Sequence, residues 1–162
     1  TSEAAVEEQV LADKEEPLTP RAVMSGVAGG VAGLVVMVPV IVGIPVLLGV
    51  FQMGPLERFA DLVIADANGT LGMAFFVAGG AVVLPLFFVV TATFLPPREP
   101  KYARGATISA LFWVAFVYIF WPAASMYVNS VFLVVTLVAH AMYGLVLGGV
   151  MQRLTGIPEH QV

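Results

Sequence analysis

Four long apolar runs alternate with short polar stretches along the chain, covering residues 21–51, 69–95, 105–121 and 126–152. Each is long enough to cross a bilayer as a helix. At about 1.5 Å per residue the first run exceeds the roughly 30 Å of hydrocarbon, so it has to tilt, kink or project. Pro39 and Pro45 mark the expected kinks, because each removes a backbone donor and crowds the preceding turn. Gly79, Gly80 and Pro85 interrupt the second run, and Pro96 and Pro97 end it. The third run is rich in aromatic residues and closes on Trp121, an indole suited to the membrane–water boundary. Between the first two runs, residues 55–66 carry Leu56, Phe59, Leu62 and Val63 on one side and Glu57, Arg58 and Asp61 on the other. That pattern predicts a short interfacial helix in the first extracellular loop, although a helix packed across the end of the bundle would read the same way. The predicted fold is all-α, an integral membrane four-helix bundle spanning residues 21–153.

The flanks are polar. Residues 1–20 form an acidic tail with Glu3, Glu7, Glu8, Asp13, Glu15 and Glu16 against Lys14. Residues 4–14 have the spacing of a short helix, which Pro17 and Pro20 would stop, although a disordered acidic tail is the alternative reading. The stretch lacks the basic start and early apolar core of a secretory signal. Residues 154–162 form a second short polar tail.

Composition agrees with a lipid solvent. The 162 residues are 59% hydrophobic and 11% charged, with a mean hydropathy of +0.95, whereas soluble domains carry about 25% charged residues. No cysteine is present, which excludes disulfides, thiolate metal sites and cysteine nucleophiles. The net charge of −4 comes from the first tail, and no basic patch points to nucleic acid. Lys14, Arg21, Arg98, Lys101, Arg104 and Arg153 all fall on one side of a four-span chain, with only Arg58 on the other. This positive-inside bias predicts a multi-pass protein of the cell membrane with both ends in the cytoplasm.

Few residues carry chemistry. His140 falls near the middle of the fourth span, where an ionisable group is costly and by default suggests function. Imidazole can ligate haem, pass protons or bond a quinone. Tyr143 lies three residues on, a neighbour on the helix surface. Two observations favour a structural histidine: the only other one, His160, is in the tail, and the spans hold no carboxylate. No Asp, Glu, Lys or Arg interrupts an apolar core, which argues against ion-coupled transport and excludes a retinal Schiff base. No serine has a nucleophile-elbow context, so no enzyme site is expected. Gly26, Gly29, Gly30 and Gly33 in the first span, and Gly144 and Gly148 in the fourth, have the small-xxx-small spacing that lets helices approach closely.

Several of these features recur together. They are Gly26–Gly33, Pro85-Leu86-Phe87, Leu95-Pro96, Arg104-Gly105, Phe112-Trp113-Val114-Ala115-Phe116, and Ala139-His140-Ala141-Met142-Tyr143-Gly144 followed by Leu147-Gly148. In these the chain resembles an uncharacterised family of small four-span membrane proteins from halophilic archaea, some members of which are encoded beside haem–copper oxidases. The resemblance implies an accessory, non-catalytic subunit of a membrane respiratory complex, with lipids and larger membrane subunits as partners. It implies no cofactor of the chain's own, haem or quinone belonging to the partner subunits. Two alternatives stand beside it: a small haem- or quinone-binding protein using His140 and Tyr143, and a homo-oligomeric channel or transporter for a neutral solute.

Overall fold

The structure, a computed structural model, describes residues 2–7 and 18–159. Residues 2–7 are helical; the rest of the helix expected over residues 4–14, and His160, lie outside the described residues. Four helices are long and apolar enough to cross a membrane: α1 (Pro20–Leu47), α3 (Gly69–Phe94), α4 (Lys101–Phe120) and α5 (Met126–Leu154). A short helix α2 (Gly54–Asp61) joins α1 to α3. No strand occurs among the described residues. Successive spans run in opposite directions. One end of the bundle therefore gathers Thr19, the α3–α4 loop and the residues after α5, and is called here the Thr19 end. The other, the Trp121 end, gathers α2 and the α4–α5 turn.

Local chemistry sets the helix ends. Thr19 Oγ1 accepts from Ala22 N at 3.1 Å with Pro20 in the first turn, Asn68 Oδ1 from Leu71 N at 2.9 Å, and Ser125 Oγ from Val128 N at 3.3 Å. Each satisfies a backbone donor that the helix itself cannot. The α1 helix stops at Leu47, earlier than the apolar run to residue 51 implied, because Gly49 turns into the left-handed region at φ 70°. Asn129 clasps both the N–H and the carbonyl of Ala124 at 3.0 Å, which holds the tight turn into α5.

The expected kinks in α1 and α3 take the form of five-residue π-turns, Pro39–Gly43 and Gly79–Val83. The second leads directly into Pro85. A widened turn makes room for a ring that would otherwise strike the preceding carbonyls.

In cross-section α1 packs on α3 and α5, and α4 packs on α5. The consecutive helices α3 and α4 meet through rings, Phe76 against Phe116 and Phe87 against Phe112. The α2 helix lies against α3 and α4, burying Pro55, Leu56 and Ala60, and its Arg58 donates to Trp121 O at 2.6 Å. Phe88, Leu147, Met151 and Tyr143 fill the centre. Outward-facing residues are as apolar as the core, with Val35, Val114 and Phe94 more than 60% exposed. Water would not tolerate that surface, and lipid does.

Candidate functional site

The chemistry of the spans gathers on α5. His140 is 5% exposed, and its Nδ1 lies 2.7 Å from Thr136 O, one turn back. A carbonyl oxygen only accepts, so Nδ1 carries the proton and Nε2 the lone pair. No described residue gives Nε2 a hydrogen bond. Every fully enclosed side-chain nitrogen and oxygen among the described residues has a partner, so Nε2 keeps some open surface. The imidazole rests against Phe116 of α4, with ring centres 4.7 Å apart. Around it, Ser109 Oγ donates to His140 O at 2.7 Å. Trp113 Nε1 donates to Thr136 Oγ1 at 2.9 Å, and that hydroxyl donates to Phe132 O at 2.6 Å.

Tyr143 points elsewhere. Its ring crosses α1 at Gly33, and its hydroxyl donates to Gly80 O of α3 at 2.5 Å. The reason lies in the π-turn. Leu84 N bonds Gly79 O, five residues back, and the next residue in that register, Pro85, has no N–H for Gly80 O. Tyr143 supplies the missing donor. His140 and Tyr143, neighbours on the helix surface, thus diverge, one to α4 and the other to α1 and α3.

An apolar cavity of about 100 Å³ opens at the Trp121 end, between the outer parts of the four spans and α2. Pro45, Met73, Phe116, Val128 and Phe132 are among its walls, and Gln52 and Thr136 are its only polar side chains. His140 does not line it but stands behind Phe116. Among the described residues no group of three histidines or carboxylates could hold a metal.

The glycine rows are occupied inside the chain. A Cβ on Gly29 would lie 2.9 Å from Leu147 O, on Gly30 2.5 Å from Gly80 O, and on Gly33 2.7 Å from the Tyr143 ring. Gly26 faces Val89 and Pro85, Gly144 meets the backbone of Gly105, and Gly148 that of Tyr102. These rows therefore hold α1, α3, α4 and α5 together; they are not open to helices of another subunit.

Arg104 and Gly105, adjacent in the sequence at the start of α4, have roles that their spacing does not reveal. Gly105 forms the other half of the Gly144 contact. Arg104, counted as a loop cation, is 5% exposed. Its guanidinium donates to Pro97 O at 2.9 Å, Arg98 O at 3.1 Å and Ala92 O at 3.3 Å, and lies 3.7 Å from Glu159. The signal was the proline-rich loop itself: Pro96, Pro97 and Pro100 lack donors, so neighbouring carbonyls need an outside one.

A family model described as a family of unknown function, DUF6789, matches residues 20–162. No curated protein and no solved structure matches.

Proposed function

The chain belongs to the DUF6789 family, a family of unknown function, and from that starting point we propose that it is a non-catalytic accessory subunit of a membrane respiratory complex, stabilising the assembly by helix packing. One observation carries the reading. Buried polar side chains of the spans turn inward to partners in the same chain: Ser109 to His140 O, Trp113 to Thr136, Tyr143 to Gly80 O. The outer face of α4, by contrast, presents Leu111, Val114 and Tyr118, the last 88% exposed. A rigid interior and an apolar ridge suit a protein that acts through its surface. The ridge, rather than the glycine rows, is where a larger subunit docks.

The finer assignments belong to the same proposal. The cation bias puts the Thr19 end in the cytoplasm. The exposed Leu62, Val63 and Ile64 after α2 then dip into the opposite membrane surface. The resemblance to haloarchaeal proteins makes a terminal haem–copper oxidase the expected assembly. A photo-crosslinking side chain placed at Tyr118 in native membranes tests the reading. Adducts with a larger membrane protein are expected, and adducts with lipid alone would sink it.

His140 supports a second reading. With Nδ1–H held by Thr136 O, the open Nε2 can accept a proton from a quinol hydroxyl or ligate haem iron, but it cannot donate to a quinone carbonyl. A visible spectrum of the purified chain, and its loss in His140→Ala, separates this reading from the first.

A further inference from the structure

At the Thr19 end a polar pocket of about 560 Å³ remains outside everything described so far. Antiparallel packing of α1 on α5 creates it. Thr19 and Arg21 open α1, Gln152 and Arg153 close α5, and the chain then folds over through Thr155 to Glu159. That last segment is fixed in place: Ile157 is buried, Thr155 Oγ1 donates to Ser25 Oγ at 3.0 Å, and Thr93 Oγ1 donates to Pro158 O at 3.4 Å.

Among the described residues the charges in the pocket do not balance. Among the described residues Glu159 is its only carboxylate, and that group faces the α3–α4 loop, 3.0 Å from Lys101 Nζ and 3.7 Å from Arg104 Nη1. Arg21 and Arg153 make no ion pair or hydrogen bond with any described residue. Gln152 Oε1 accepts from Tyr102 N at 3.1 Å, which leaves its amide N–H groups as further donors. The pocket thus offers two guanidinium groups and an amide with no acceptor opposite among the described residues. Its surroundings are apolar: Leu18, Met24 and Leu154 are each more than half exposed. The pocket sits where the apolar spans begin, so a ligand there meets donors on one side and hydrocarbon on the other.

We propose that this pocket binds the phosphate of an anionic phospholipid through Arg21 and Arg153, with the acyl chains lying over Met24 and Leu154. Guanidinium groups match phosphate oxygens in geometry and charge, and basic pockets between spans are suited to anionic headgroups. A soluble phosphate would use the same donors but would have no use for the apolar rim.

The test uses the full chain in a nonionic detergent, with bound lipid read by native mass spectrometry. Phosphatidylglycerol should bind and phosphatidylcholine should not. The Arg21→Gln/Arg153→Gln double variant should lose about tenfold in phosphatidylglycerol affinity, while Arg58→Gln, at the other end, leaves it unchanged. Binding to the unaltered chain should weaken as salt is raised, a readout that does not depend on how any variant folds. Full affinity in the double variant, or salt-independent binding, would overturn the proposal. So would inorganic phosphate binding alone and displacing the lipid, which would make the ligand a soluble anion. Displacement of lipid by the chain's own acidic residues 1–16, seen as tight binding only after their removal, would assign the pocket to that segment instead.

Discussion

At the Thr19 end of the bundle the backbones of two spanning helices, α4 and α5, touch, whereas at the Trp121 end rings lie between the spans and the close backbone contact, Gly72 against Leu56, is with the short helix α2. Gly105 meets Gly144 and Gly148 meets Tyr102 with no side chain between them, and the loop carbonyls there are gathered by a buried arginine. At the Trp121 end Phe59 and Phe76 pack tilted and edge-on against Phe120, which stacks on Phe116, and the rings leave a cavity of about 100 Å³. In lipid, burying apolar surface gives helices little preference for one another. Close backbone contact and satisfied polar groups therefore hold the first end, and the second has more freedom. The tight end is the scaffold, and the loose end is where adjustment or a small apolar guest is tolerated.

Added volume breaks or sharpens this contrast. At the tight end, Gly144→Leu drives a side chain into the Gly105 backbone and should cost about 3 kcal/mol, read by reversible unfolding in mixed micelles. Next, Arg104→Met strands the carbonyls of Ala92, Pro97 and Arg98 and should cost about 2 kcal/mol, with Arg104→Lys recovering only part, since an ammonium lacks the planar fork. Midway between the ends, Tyr143→Phe removes the donor to Gly80 O and should cost about 1 kcal/mol. At the loose end, Val128→Leu adds a methylene into the cavity and should gain about 0.5 kcal/mol. If Val128→Leu were as damaging as Gly144→Leu, the two ends would be packed alike.

The tight and loose ends also differ in how far they could be read beforehand. The four spans stand out because hydropathy is a local property, and Pro39, Pro45 and Pro85 sit beside or within the two π-turns for an equally local reason. The small-residue rows were visible as spacing, but what they touch was not. Whether Gly30 faces α3 of the same chain or a foreign helix depends on the order α3–α1–α5–α4 around the bundle, which no helical period encodes. For the same reason His140 and Tyr143 read as a pair. Three residues apart makes them neighbours on a helix, yet one turns to Phe116 and the other to Gly80. Arg104 was hidden because a charge before a span reads as a solvated flank. Only the fold shows that the proline loop closes over it.

The most direct test of the account is purification from native membranes in a mild detergent, with mass spectrometry and a visible spectrum taken on the same peak. An accessory subunit predicts larger membrane subunits and their haem bands in that peak, with the spectrum unchanged by His140→Ala. A lone, colourless chain would contradict packing as its function, and a lone chain whose colour vanished with His140 would move the function to the imidazole.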